Sequence, residues 1–168
     1  SVDATGKNFS GWRQENDGSL TTPGGDTQLR HKMKFPDRCE VEVTVASSSV
    51  PDFAVTLGTN DDNIPRVEMW GDELIARCDP DFVELQRIPQ DQREIHFHLF
   101  VDFPKKVMAV YSSAGRLLGK KSSGTWESPR DGIVFHAMDS DLTIKYLRVA
   151  QWDGMLPQPL LPGESRVH

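Results

Sequence analysis

Hydrophobic and polar residues alternate along most of this chain. In "RCEVEVTVA" (38–46), Cys39, Val41, Val43 and Val45 fall on one side, and Glu40, Glu42 and Thr44 on the other. A period of two is the signature of a half-buried β-strand. "DFAVTLG" repeats it with Phe53, Val55 and Leu57 inward, and "EIHFHLFVD" (94–102) with Ile95, Phe97, Leu99 and Val101. "RVEMW" and "ELIARC", parted by Gly71-Asp72, form a hairpin pattern with a glycine-containing tight turn. "GSLT", "QLRHKMKF", "FVELQRI", "KKVMAVYS", "GRLLG", "GIVFHAM" and "DLTIKYLRVAQW" complete a set of short strands separated by turn residues. No window sustains an i, i+3, i+4, i+7 apolar pattern, so nothing beyond a turn or two of helix is expected.

Many short, mostly antiparallel strands predict an all-β fold, a two-sheet antiparallel sandwich of jelly-roll type. The predicted core is Val41, Val43, Phe53, Val55, Leu57, Val67, Ile95, Phe97, Leu99, Val134 and Ile144. Residues 94–102 and 106–112 are expected to pair as neighbours through the short "FPKK" connection, bringing His98 near Tyr111 and Phe100 near Ala109. After Gly154 the sequence "MLPQPLLPGESRVH" loses alternation and gains prolines. The expected organisation is therefore a single sandwich over 1–154, with 155–168 a linker or a tail lying on the surface.

Composition narrows the partners. A net charge of −6 and a pI near 5.3 disfavour nucleic acid, whose phosphates need a positive surface. No apolar run approaches the roughly 20 residues that span a bilayer, so this segment is not expected to insert in a membrane. The sequence opens at Ser1 with no signal-peptide pattern, as a processed protein or an excised domain does. Cys39 and Cys78 permit one disulfide without requiring it, and neither belongs to a CxxC zinc pair.

Two histidines stand out because i and i+2 of a strand share a face. His96, His98, Phe100 and Asp102 lie opposite the core side of their strand. Imidazoles beside aromatic edges suit a sugar or peptide, and they equally suit the solvated side of a half-exposed sheet. Metal binding is not expected: a catalytic zinc takes three protein ligands, and nothing forces His31, His136 or His168 to join this pair. The candidate ligand-binding set is His96, His98 and Tyr111, with Trp70 or Trp126 at its edge. Trp12 and Trp152, at the two ends of the domain, are expected to pack.

The order of "GWRQENDGSL", "CEVEVTV", "DFAVTLGT", "VEMWGDEL", "IHFHLFVD", "VMAVYSSAGRLLG" and "LTIKYLRVAQWDG" resembles the concanavalin A-like lectin/glucanase superfamily over residues 8–154. In particular it is similar to the laminin-G-like and keto-disaccharide-hydrolase-like domains of bacterial envelope proteins. The resemblance implies a concanavalin A-like jelly roll, a carbohydrate or protein partner and an extracytoplasmic setting. Glucanases of that superfamily carry Glu-x-Asp-x-x-Glu on one strand. The nearest match is Glu68, Asp72 and Glu73 in "VEMWGDEL", where Trp70 replaces the central acid and the other two acids fall in the turn. A solvated hairpin rim is expected there, and no catalytic residue is assigned. The resemblance also brings in calcium, for which the acidic loops 58–63 and 137–142 could supply oxygens; no other cofactor is expected. "NFS" at Asn8 matches a glycosylation sequon. The leading expectation is a non-catalytic binding or interaction module from a larger extracytoplasmic protein. A glycoside hydrolase or related sugar-processing enzyme is one alternative, and a structural spacer the other.

Overall fold

The computed structural model describes residues 11–58, 64–78, 81–122, 126 and 130–158. Two antiparallel sheets stack face to face. The larger, in spatial order, is β1 (Arg13–Gln14), β2 (Leu20–Thr22), β13 (Leu142–Gln151), β4 (Arg38–Ala46), β9 (Glu94–Asp102), β10 (Val107–Ser112) and β11 (Leu117–Ser122). The smaller is β3 (Thr27–Lys32), β12 (Gly132–Ala137), β5 (Phe53–Leu57), β6 (Arg66–Trp70), β7 (Glu73–Cys78) and β8 (Asp81–Arg87). No helix occurs among the described residues. This is the expected β-sandwich, and the short β1 is the strand that alternation does not announce.

The inner faces interlock as the period-two pattern requires. Val41, Val43 and Val45 of β4 and Ile95, Phe97, Leu99 and Val101 of β9 meet Phe53, Val55 and Leu57 of β5. Phe97 and Phe53 stack across the sheets with centroids 6.3 Å apart and planes 18° from parallel. Trp12 is fully enclosed in the same cluster. All the predicted core residues are buried, but Val134 is buried on the outer side of its strand. The inward positions of β12 are Ile133, Phe135 and Ala137.

Turn chemistry sets the hairpins. Gly71 adopts φ 62°, the left-handed conformation the β6–β7 turn needs. At the β9–β10 turn, Asp102 is 4% exposed and accepts from the Lys105 N–H (2.9 Å), while Arg38 Nε donates to its other oxygen (3.1 Å). Buried acid and turn are thus satisfied together. β13 carries a bulge between Ile144 and Tyr146, and after it the residues paired with core-facing Val43 and Val41 are Leu147, which stays 36% exposed, and Val149, which packs against the core.

Cys39 and Cys78 are buried, on different sheets and not joined in a disulfide. Burial pushes the Cys39 thiol up to about 12, against the opposing charge of Arg130. Glu68 corrects an expectation: it is not on a solvated rim but 5% exposed. It accepts from Trp70 Nε1 (2.7 Å) and Arg77 Nη1 (2.7 Å), with Arg66 Nη1 at 3.7 Å. A carboxylate buried beside two guanidiniums is an ion-paired strut. Asp72 and Glu73 face Arg87 at 3.6 and 3.1 Å instead of joining Glu68 as an acid pair.

Candidate functional site

The outer face of the larger sheet gathers most of the chemistry. Antiparallel pairing aligns Arg148 of β13, Glu42 of β4, His98 of β9 and Tyr111 of β10 in one row across four strands. The next row holds Ala150, Glu40, Phe100 and Ala109. Residues paired in this way share a face, so a polar network centred on β4 lies beside an aromatic cluster on β9 and β10.

The polar part is a connected network. His98 Nδ1 lies 2.9 Å from Glu40 Oε1, and His96 Nε2 lies 3.0 Å from Glu42 Oε1. The imidazoles tilt toward each other with ring centroids 5.3 Å apart. Arg148 bridges both acids, with Nε 3.3 Å from Glu42 Oε2 and Nη2 3.4 Å from Glu40 Oε1. Burial opposes the charge on Glu42, but His98, the hydrogen bond from His96 and Arg148 outweigh it and hold the carboxyl below its ordinary range. Among the described residues, Glu42, His96 and His98 form the one group of three His, Cys, Asp or Glu side chains whose ligand-capable atoms converge, all within 4.8 Å of one another.

The apolar part is an aromatic cluster. Phe100 meets Tyr111 edge-on at 5.4 Å and Trp152 at 5.3 Å. Beyond β13 the chain turns back over this cluster: Trp152 Nε1 donates to the Met155 carbonyl (2.8 Å) and the Tyr111 hydroxyl to that of Pro157 (2.8 Å). A cleft of about 500 Å³ remains between strap and sheet, lined by Glu40, His98, Phe100, Tyr111, Trp152 and Met155 among others. Tyr111, at 2% exposure, forms a wall of the cleft and offers little open surface.

The sequence-derived candidates therefore separate. His96, His98 and Tyr111 come together as expected, with His98 opposite Tyr111 and Phe100 opposite Ala109. Trp70 lies on the smaller sheet, 41% exposed and packed on Phe82 at 4.8 Å. Trp126 packs edge-on against Phe103 at 6.1 Å, beside the inner cluster. Neither lines the cleft; the tryptophan that does is Trp152. His136 belongs to β12 of the smaller sheet, where it pairs with Asp26, and His31 belongs to β3. His168 and Asn8 lie outside the described residues.

Glu40, Glu42 and Arg148 were missed as site residues. Their visible signal was Glu-x-Glu on the outward phase of "CEVEVTV", which puts two carboxylates on one face. Nothing local shows that β4 pairs with β9, more than fifty residues away. Calcium oxygens were expected from loops 58–63 and 137–142. Residues 59–63 lie outside the described residues, and in the other loop Asp141 already accepts from Ser47 and from both the hydroxyl and the N–H of Ser48.

No family model matches the chain, and no curated protein sequence does. Solved structures do match in shape. A sialidase superposes with a TM-score of 0.64 at 10% identity, over 80% of this chain and 15% of that one. This chain thus spans a small part of that relative. A putative glycosyl hydrolase from Parabacteroides distasonis gives 0.59 at 11% identity, covering 87% and 92% of the two chains. The carbohydrate recognition domain of Emp46p, in a potassium-bound form, gives 0.56 at 14%, covering 86% of each. All-β content, two antiparallel sheets and these neighbours agree: the chain has the concanavalin A-like jelly-roll fold shared by lectins and glycoside hydrolases.

Proposed function

We propose that this domain is a non-catalytic carbohydrate-binding module that seats its ligand in the cleft between the outer face of the larger sheet and the 152–157 strap. The supporting observation is the adjacency of an aromatic cluster, Phe100, Tyr111 and Trp152, to the hydrogen-bonded pair Glu40 and His98 on one cleft wall. Sugars present both an apolar ring face and hydroxyls, and a site with both kinds of group recognises them. The carbohydrate recognition domain and the sialidase among the structural neighbours make a sugar the natural first ligand to test. An extracytoplasmic setting accords with this reading.

One observation favours a second reading, a sugar-processing enzyme. Glu40 and Glu42 share a strand face with two imidazoles, and paired acids are the machinery of glycoside hydrolysis. Both carboxylates, however, are ion-paired with Arg148. Against the opposition of burial, Glu42 is held below its ordinary range by His98, His96 and Arg148, the reverse of what a general acid requires.

A glycan array in the presence of EDTA, followed by calorimetry on each hit, tests the proposal. His98→Ala and Trp152→Ala, each checked for native circular dichroism, should weaken binding by roughly 10-fold or more, the scale of one lost hot-spot contact. Trp70→Ala, on the opposite sheet, should leave affinity unchanged. Absence of any hit, or unchanged affinity in both cleft variants, would leave a structural spacer or a protein-binding domain. Turnover of a bound sugar that Glu40→Gln abolishes would establish the enzyme reading.

A further inference from the structure

We infer that Glu42, His96 and His98 form a binding site for a divalent first-row transition ion of the zinc class, on the outer face of the larger sheet beside the cleft. Sequence reasoning set metal aside because no third histidine converged; the third ligand is a glutamate from the neighbouring strand.

The geometry is close to what such an ion needs. Zinc binds imidazole nitrogen and carboxylate oxygen at about 2.0–2.2 Å, so a tetrahedral site holds its ligand atoms roughly 3.3 Å apart. Glu42 Oε1 lies 3.0 Å from His96 Nε2 and 3.8 Å from His98 Nε2, on either side of that spacing. One ligand atom from each of the three residues lies within 4.8 Å of those of the other two. Two imidazoles with one carboxylate are a donor set suited to zinc and its neighbours, whereas calcium and magnesium prefer all-oxygen shells.

The surroundings support the assignment independently of the ligand set. Glu40 accepts from His98 Nδ1 at 2.9 Å, which fixes the tautomer and leaves Nε2 as the electron-pair donor toward Glu42. A carboxylate behind a ligating histidine is the usual outer-shell arrangement of a metal site. Arg148 contacts the other oxygen of Glu42, Oε2, at 3.3 Å, so its charge holds the carboxylate without taking the oxygen that faces the imidazoles. The side chains are 17–32% exposed, open enough for an ion to enter and enclosed enough to be oriented. Binding through His96 Nε2 needs that nitrogen's lone pair: a neutral imidazole meets the ion by moving its proton to Nδ1, and an imidazolium by releasing one proton to solvent. Three protein ligands leave a position for water or a ligand hydroxyl.

The inference does not rest on the sugar reading, because its probe is the ion alone. Full-length protein stripped with EDTA should take up an equimolar amount of Zn²⁺ by calorimetry near neutral pH. Co²⁺ should give the visible absorption of a tetrahedral nitrogen–oxygen site, and Ca²⁺ and Mg²⁺ should not compete. His96→Ala and Glu42→Gln should each weaken Zn²⁺ binding by roughly 100-fold or more, and Glu40→Gln, which keeps all three ligands, by about 10-fold, the low end of outer-shell changes. His136→Ala and Trp70→Ala, both on the smaller sheet, should bind as the parent does. Glu40→Gln also guards against a ligand variant that fails to fold. No stoichiometric uptake, or uptake that survives His96→Ala and Glu42→Gln but is lost in His136→Ala, would overturn the inference.

Discussion

Phe97 shows how much one residue carries when its strand phase is right. Its ring is fully buried, stacked on Phe53 of the opposite sheet, and flanked on its own strand by Ile95 and Leu99. Phe97→Ala removes the transfer energy of an aromatic ring and leaves a cavity that rigid strands cannot close. It should cost about 3–5 kcal/mol, read as a lower urea midpoint with an unchanged slope. An unchanged midpoint would contradict the packing. At this scale the sequence was informative, because alternation assigns each side chain to a face without knowledge of its neighbours. It failed where burial does not follow polarity. Glu68 reads as a rim acid, yet Arg66, Arg77 and Trp70 satisfy it inside the surface layer. Val134 reads as core, yet it is buried from the other side.

Elements were legible as strands but not as partners. The β6–β7 and β9–β10 hairpins follow from short turns, because a tight connection leaves antiparallel pairing as the natural geometry. The β4–β9 and β13–β4 pairings that build the Glu42–His96–His98 group join segments distant in sequence, and no local pattern encodes them. Trp152 was assigned to packing for a similar reason, since the strap that makes it a cleft wall depends on where β13 ends. Connections between elements also carry their own constraints. Gly24, between β2 and β3, has φ +96°, and a Cβ there would stand 2.2 Å from the Ser140 carbonyl oxygen in the β12–β13 connection. Gly18 has φ +87° with nothing within 4 Å. Gly18→Ala should therefore show only dihedral strain, on the order of 1–3 kcal/mol. Gly24→Ala should cost clearly more, because backbone must move against backbone. Equal urea midpoints for the two variants would show that the two connections do not press together.

At the scale of the whole molecule, acid stability depends on ties between distant segments. Asp141, just before β13, accepts from the hydroxyl and the N–H of Ser48, just after β4, and from Ser47. The Ser48 hydroxyl is the largest influence, with desolvation opposing it, and the carboxyl is held below its ordinary value. A folded-state pKa below the unfolded value of about 3.9 means that the tie stabilises the fold at neutral pH. That contribution drains as pH falls below about 4 toward the depressed folded value. Asp141→Asn should therefore open a stability gap to the parent near pH 7 that narrows as pH falls below about 4, as followed by urea unfolding. A gap independent of pH would mean that the carboxylate charge is not what matters. The fold class, unlike these ties, was readable from the start, because repeated alternation without helical periodicity leaves few architectures. One feature of the topology bears on how the molecule comes to exist. β13, last in sequence, is an interior strand of the larger sheet, seated between β2 and β4. A ribosome delivers the chain from its N-terminus, so β2 and β4 must wait with exposed edges until residues 142–151 emerge. The sheet is completed like an arch, its keystone placed last, and the nascent chain depends until then on being kept from unwanted strand pairing.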